Sequence, residues 1–168
     1  PDPLPMGEGE LRVETINDSL EECRGLLFAF GALYANANNS KALYRLTDSD
    51  GDEKYETVEL LHATGGGVGH GRNALALGPD NNIYLIHGND VRLPDDFATA
   101  DSPVRNFAVD RLAKNHWDRY LFDFQGTLPA GHVIRTDHDG KLWELVAYGM
   151  RNPYGIDFNA DGEMFTFD

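Results

Sequence analysis

The segment Gly149-Met150-Arg151-Asn152-Pro153-Tyr154-Gly155 runs directly into Ile156-Asp157-Phe158-Asn159-Ala160-Asp161-Gly162-Glu163-Met164-Phe165. Its Arg-Asn-Pro corner is incompatible with a helix, because proline has no N–H to donate and forces the residue before it towards extended geometry. The alternating apolar residues that follow predict two short strands, and the Asn-Ala-Asp-Gly segment between them is typical of a hairpin turn. We therefore expect Arg151 and Asn152 at the mouth of a β-structure.

This pattern of two strands around a turn occurs three times in the chain. It is present at residues 25–35, 73–86 and 155–167, and the acidic turn at 47–51 recurs at 136–140. Two further strands after the first pair make the first unit four-stranded and antiparallel. Units of four strands and roughly 40 to 50 residues are typical of a β-propeller. The sequence therefore predicts an all-β propeller of which about two and a half blades are present.

The predicted domain organisation follows from these repeats. Residues 1–24 form an extended lead-in, residues 25–168 form a partial propeller domain, and an insertion at about 89–131 interrupts the second blade. Within the insertion, residues 106–115 predict a short helix, and Trp117 and Tyr120 are expected to pack the insertion onto the propeller. The first strand pair is apolar on both faces, which predicts strands that are buried on both sides.

The composition excludes several classes of partner and fold. With 14 basic and 28 acidic side chains, the formal charge of −14 would repel nucleic acids and anionic lipid surfaces. Cys23 is the single cysteine, so the chain contains neither a disulfide framework nor a haem-attachment motif. The longest apolar run, residues 26–30, is too short to span a bilayer. Because the chain opens on Pro1 and stops at Asp168, at the end of a predicted strand, we expect a piece of a longer protein.

Two motifs carry a resemblance to a known family. His70 lies in the Gly69–Arg72 segment Gly-His-Gly-Arg, which leads into the Gly-Pro-Asp strand pair at residues 76–84, and the Arg-Asn-Pro corner at 149–153 follows in the next blade. These motifs resemble the soluble quinoprotein glucose and sorbosone dehydrogenases. The chain looks closest to the large haem-binding or membrane-bound dehydrogenase propellers of Planctomycetes and Verrucomicrobia, the PVC-type proteins, and the resemblance covers nearly all of residues 25–168.

The resemblance implies a six-bladed propeller with pyrroloquinoline quinone and calcium over its axial mouth, where a sugar or alcohol is oxidised by hydride transfer. It implies that His70 is the general base, a role that suits imidazole because its pKa lies near neutrality. It also implies that Arg151 and Asn152 contact the quinone, with Arg as a fork of donors and Asn as donor and acceptor. The calcium loop is expected after Asp168, so the fragment alone is expected to bind no cofactor and to be inactive.

The same resemblance implies a periplasmic or secreted parent protein, with a c-type cytochrome domain as a possible partner. Other interpretations stay open at this point. His70 can be a polar residue at a loop end, Arg151 can pair with an acidic neighbour, and Asn152 can simply close the turn before the proline. The alternative function is a non-catalytic propeller that binds carbohydrate or acts as a scaffold. A metal-dependent lactonase would need inward acidic ligands, which the sequence pattern does not identify.

Two further groups of residues bear on metal binding. Asp48, Asp50 and Asp52, with Glu59 further on, have spacings similar to those of an oxygen-rich calcium loop. Because Glu53 stands where such a loop requires glycine, and because strands flank it, a solvated hairpin turn is the favoured interpretation. Four further histidines show no paired ligand spacing, and no metal site is predicted from them: His87, His116, His132 and His138.

Overall fold

The computed structural model describes residues 13–93, 102–103 and 130–168, and all regular secondary structure in these residues is β-strand. The strands are β1 (Cys23–Ala29), β2 (Ala32–Ala37), β3 (Ala42–Thr47), β4 (Thr57–Ala63), β5 (Gly65–Gly66), β6 (Arg72–Leu77), β7 (Ile83–His87), β8 (Val91–Arg92), β9 (Gly131–Thr136), β10 (Trp143–Met150), β11 (Gly155–Phe158) and β12 (Met164–Phe167). The helix predicted at 106–115, and the packing predicted for Trp117 and Tyr120, lie outside the described residues.

The strands form successive antiparallel units. The first blade is the four-stranded sheet β1-β2-β3-β4, the second blade is β6-β7-β9-β10, and β11 and β12 form the third-blade hairpin. A small ladder joins β5 to β8. The prediction of an all-β propeller fold with about two and a half blades is confirmed. Strands β7 and β9, which lie on either side of the predicted insertion, pair directly with each other.

Two apolar layers hold these units together. The first layer lies between the first and second blades and contains Tyr34, Leu43, Leu85 and Ile134, each at most 2% exposed. The second lies between the second blade and the third-blade hairpin, where the Tyr84 ring meets Phe158 edge-on with centroids 4.9 Å apart. Burial of such side chains is the main stabilising contribution, at about 1.5–3 kcal/mol each. The second blade is therefore covered on both faces.

The prediction that the first strand pair is buried on both sides is wrong for β1. Leu26 and Phe28 in that strand are 58% and 65% exposed, whereas Tyr34 and Ala35 in β2 are 0% and 1% exposed. Among the described residues, a second sheet covers one face of the first blade only. The apolar pattern of β1 therefore indicates a surface suited to packing, and no described residue covers that surface.

One end of the blades, which we call the mouth, is formed by the segments 64–71, 88–90 and 151–154. These segments meet because β6 and β11 begin at this end and β7 finishes there. Backbone hydrogen bonds join them: Gly88 N–H donates to Gly71 O at 2.7 Å, and Asn89 N–H donates to Arg151 O at 2.8 Å. None of the described residues belongs to a helix long and apolar enough to cross a membrane.

Candidate functional site

His70 lies at the mouth with one ring nitrogen engaged. Its Nδ1 is 2.7 Å from Asn89 Oδ1, and its backbone N–H donates to Asp90 Oδ2 at 3.0 Å. Because an amide oxygen only accepts hydrogen bonds, Nδ1 carries the proton and the neutral ring keeps its lone pair on Nε2. Within the described residues, no hydrogen bond reaches Nε2. The ring is half-buried, so its orientation is fixed while Nε2 stays available to take a proton.

Glycines allow the segment before His70 to wrap around Asp90. Gly67 N–H donates to Asp90 O at 2.8 Å, and Asp90 N–H donates back to His70 O at 3.2 Å. A Cβ on Gly66 would lie 2.0 Å from Asp90 O, and one on Gly69 would lie 2.9 Å from the Asp90 carboxylate. The Gly-rich sequence is therefore required for this close approach, and it fixes the position of His70.

The Arg-Asn-Pro corner is held by its backbone. Asp168 accepts both N–H groups of the corner, from Arg151 at 2.7 Å and from Asn152. The Arg151 side chain is exposed and forms no ion pair with any residue in the described part of the chain. The corner is thus anchored through its main chain, which leaves the guanidinium available to a ligand.

The structure brings the three sequence-predicted site residues together around Gly88. A Cβ on Gly88 would lie 2.4 Å from His70 O and 2.8 Å from Asn152 Oδ1. The backbone N–H of the next residue, Asn89, donates to Arg151 O. His70 and Asn152 therefore flank Gly88, and any larger residue would separate them.

Asn73 is a site residue that sequence reasoning missed. It is 1% exposed, and its Nδ2 donates to Pro153 O at 2.7 Å and to Asn152 Oδ1 at 3.1 Å. Because the Pro153 carbonyl only accepts, the amino group of Asn73 must face the corner, and Asn152 must then present its oxygen to Asn73. The donor group of Asn152 is left for another partner. The signal in the sequence was a polar Asn directly before the apolar residues of β6.

Arg72, next in sequence, supports the mouth from beneath. Its side chain is fully buried and donates to neutral oxygens, including Thr64 Oγ1 at 2.7 Å and Gly65 O at 2.8 Å. It forms no ion pair with a described residue, and burial lowers the pKa of its guanidinium. Arg72 therefore anchors the segment at 64–67 and adds a positive charge under the mouth.

A pair of histidines lies inside the second blade near the mouth. His87 Nδ1 is 3.1 Å from His132 Nε2, and His132 Nδ1 is 2.8 Å from Ala130 O. Burial lowers the pKa of His132 to about 4 and holds the pKa of His87 well below its usual value. Both rings are therefore neutral at pH 7, and one nitrogen of each ring takes part in the hydrogen bond between them.

The acidic turn differs in one member from the predicted group. Asp48, Asp50, Asp52 and Glu56 bring one carboxylate oxygen each within 4.8 Å of one another, whereas Glu59 pairs with Arg45 at 2.7 Å. The Asp48 carboxylate accepts backbone N–H groups, among them that of residue 51 at 2.7 Å, and these bonds lower its pKa. Hydrogen bonding of this kind is typical of a turn that closes a hairpin.

Comparisons with known proteins add little to this geometry. Neither the family models nor the curated proteins include a match to this chain. Among solved structures, the chain is similar to a protein described as a candidate gluconolactonase, with 16% identity and a TM-score of 0.46 over 80% of this chain. The chain spans 37% of the length of that protein. A likeness at this level establishes neither a family nor an activity, so membership of the quinoprotein family stays a prediction.

Proposed function

We propose that this chain is part of a quinoprotein-like propeller dehydrogenase that oxidises a hydroxyl carbon of a sugar or alcohol by hydride transfer. The observation that supports this most is the arrangement of His70. Its Nδ1 is held 2.7 Å from Asn89 Oδ1, and the backbone N–H of Asn89 donates to Arg151 O at the Arg-Asn-Pro corner. An oriented imidazole at the same mouth as a guanidinium is suited to oxidation of an alcohol.

The proposed role of His70 is to take the hydroxyl proton on Nε2 while the carbon loses hydride. The C–H bond breaks with its electron pair, the O–H proton moves to His70, and a carbonyl forms. Bound pyrroloquinoline quinone would supply the hydride acceptor for this step. Hydrogen bonding to Asn89 keeps the base in the required tautomer, and general-base catalysis of this kind contributes about 10²- to 10⁴-fold to the rate.

The residues of the corner fit an anionic quinone. Arg151 offers a guanidinium that forms no ion pair with a described residue, and Asn152 offers the amide donor that Asn73 leaves unused. Carboxylate and quinone oxygens are acceptors, which such donors bind. Calcium is different, because the nearby carboxylates of Asp90 and Asp168 already accept backbone N–H groups. The described residues provide no calcium ligand set at the mouth, and calcium stays a prediction from the resemblance.

A longer protein is part of the proposal, because the resemblance implies six blades around one axis. We further propose a periplasmic or secreted location and a c-type cytochrome domain as electron acceptor. The 168-residue chain alone is expected to show no turnover with glucose, added quinone, calcium and an artificial electron acceptor. Acceptor reduction above background by the pure chain would contradict this expectation.

The catalytic role is tested by His70→Gln in the longer protein. We expect kcat to fall about 10²- to 10⁴-fold while the affinity for the quinone changes little, since His70 acts on the substrate proton. Asn89→Ala is the matched variant, because it removes the orienting acceptor and keeps the base. An His70→Gln protein with unchanged kcat would rule out the proposed base.

A non-catalytic carbohydrate-binding propeller is the second candidate function, and one observation favours it. Tyr154 is 56% exposed at the mouth, directly after the corner, where its ring is available to stack on a sugar. This alternative predicts that the chain binds sugars without quinone, that Tyr154→Ala removes the binding, and that His70→Gln does not. Dehydrogenation predicts a requirement for His70 instead.

A further inference from the structure

Arg72 is a fully buried cation whose hydrogen bonds all go to uncharged oxygens. Its Nε donates to Thr64 Oγ1 at 2.7 Å. Its two terminal nitrogens donate at 2.8 to 3.3 Å to four backbone carbonyls, those of Asn38, Thr64, Gly65 and Gly67. A guanidinium has five N–H donors and keeps its proton near neutral pH, so these bonds use every donor and leave the charge in place.

The charge of Arg72 is not neutralised by contact with a carboxylate. No ion pair with Arg72 occurs in the described part of the chain. Burial of an unpaired charge is costly, and buried charges in proteins are normally paired. Because the side chain is 0% exposed and its donors are all used, further segments of a longer protein could not contact the guanidinium. The unpaired charge is therefore a property of these strands themselves.

This charge acts on groups at the mouth. The carbonyls of Thr64, Gly65 and Gly67 belong to the segment 64–71, so the guanidinium lies directly beneath one wall of the mouth. Burial, then the neighbouring His132 and the charge of Arg72, hold the pKa of His87 well below its usual value. His87 directly precedes the mouth segment 88–90. A buried charge acts through a medium of low dielectric, so its effect on such neighbours is stronger than that of a solvated charge.

Other charged residues at this end leave the mouth attractive to an anion. The Arg151 guanidinium forms no ion pair with a described residue, and Lys41 Nζ donates to Gly66 O at 3.0 Å. The carboxylates of Asp90 and Asp168 accept backbone N–H groups and pair with none of these cations. In a chain whose net charge is −14, unpaired cations at one end create a local field that favours a negatively charged ligand.

We propose that Arg72 makes the mouth selective for ligands that carry a carboxylate, acting through its charge from beneath while Arg151 contacts the ligand. The inference rests on the proposed function for the place where the ligand binds. The carboxylate can belong to the quinone or to a sugar acid that is the substrate, since both would meet the same field. Arg72 is then a positioning residue that touches no ligand and favours the charged form over a neutral one of similar shape.

Two pairs of probes test this selectivity in the longer protein by calorimetric titration. The pairs are pyrroloquinoline quinone with its trimethyl ester, and glucuronate with glucose. We expect the charged member of at least one pair to bind at least about tenfold more tightly, and that pair identifies the source of the carboxylate. If neither form of the quinone binds, the proposed function fails while the sugar pair still tests the inference. No preference in any pair that binds, or binding of none of the four probes, would overturn the inference.

Substitutions of Arg72 separate its charge from its structural role. Arg72→Gln removes the charge and should reduce the ratio of the two affinities at least about threefold, whereas Arg72→Lys should keep it within about twofold of wild type. A merely structural role would weaken both members of a pair equally. Arg45→Gln is the matched control, because it removes a cation that pairs with Glu59 and Asp139 at the opposite end of the blades. An unchanged ratio in Arg72→Gln would contradict the proposal.

Arg151→Gln tests the same claim without changing the buried residue. Because the Arg151 side chain is exposed, this variant is expected to fold, and a preference of at least about threefold for the charged probe should remain. Added salt should reduce that remaining preference only slightly, since a buried charge is screened less than an exposed one. Complete loss of the preference in Arg151→Gln would assign the selectivity to Arg151 and overturn the role of Arg72.

Discussion

The two ends of the blades use their charged and polar groups in different ways. At the end opposite the mouth, which we call the turn end, Arg45 pairs with Glu59 at 2.7 Å and with Asp139 at 2.9 Å. Arg135 likewise pairs with Asp80 at 3.1 Å and with Glu144. These arginines hold hairpin turns in place.

At the mouth, by contrast, Arg151 forms no ion pair with a described residue, and the described residues leave Nε2 of His70 without a hydrogen bond. Backbone bonds and the buried amide of Asn73 fix the segments that carry them. The turn end is stabilised by ion pairs between side chains. The mouth is stabilised by hydrogen bonds that join its backbone to the side chains of Arg72, Asn73, Asp90 and Asp168, and none of these bonds uses the Arg151 guanidinium.

The largest expected effect on folding comes from Gly88→Ala. Its Cβ would lie 2.4 Å from His70 O, a backbone atom that cannot move without disturbing β6. We expect a loss of about 3 kcal/mol or more in the free energy of unfolding, measured with urea, because the clash is with backbone atoms. Gly65→Ala is the matched control at the same end, because its Cβ would be 3.6 Å from its nearest neighbour. Equal stability of the two variants would show that the mouth is not tightly packed.

The second expected effect is that the two ends of the blades lose stability in a defined order as the pH falls. Burial lowers the pKa of His132 from 6.5 to about 4 in the folded chain, so the unfolded chain protonates this ring at a higher pH. Stability is therefore lost as the pH falls from about 6.5 towards 4. Lys141 and Arg45 lower the pKa of Asp139 from 3.8 to about 2, so its contribution is lost only below about 3.8.

Amide hydrogen exchange followed by NMR measures this order directly. Between pH 6.5 and 4, protection should fall first in β7 and β9 near His87 and His132, before it falls around the ion pairs of the turn end. A chain with His132→Gln should show a weaker dependence on pH in this window. Loss of protection at the turn end above pH 4 would contradict the comparison.

A smaller effect is expected from Asn73→Asp. The carboxylate has the same shape but cannot donate to Pro153 O or to Asn152 Oδ1, so two hydrogen bonds are replaced by unfavourable contacts. We expect about 1–3 kcal/mol of destabilisation at most, together with a shift of the Asn152 side-chain amide signals in ¹⁵N spectra. Asn81→Asp, at an exposed residue in the turn between β6 and β7, is the control. Unchanged Asn152 signals would show that Asn73 does not orient that amide.

The repeats made the fold predictable, because every strand pair and both acidic turns recur in register. Face exposure was not predictable for β1, since the apolar pattern of a strand does not say whether a second sheet covers it. The turn beside Asp48 shows a similar limit. Spacing grouped Glu59 with the three aspartates, but in the folded chain Glu59 pairs with Arg45 and the carboxylate near the aspartates is that of Glu56.

The site was predictable only in part. His70, Arg151 and Asn152 stood out by residue type and motif, and the structure brings them together around Gly88. Asn89, which orients the imidazole, belongs to a separate segment that meets His70 only in the folded chain. Such contacts depend on which loops lie at the same end of the blades, and a local sequence pattern does not predict which loops these are.

Titration of the longer protein with pyrroloquinoline quinone, followed by ¹⁵N NMR, tests the central claim most directly. We predict shifts at His70, Asn89, Arg151 and Asn152 and none near Arg45. In Arg151→Ala, affinity should fall roughly ten- to hundredfold, equivalent to about 1.5–3 kcal/mol, while the urea midpoint stays within error of wild type. Arg45→Ala should lower the urea midpoint and leave the affinity for the quinone unchanged. A destabilised Arg151→Ala protein with unchanged quinone shifts would contradict the assignment of the mouth as the binding site.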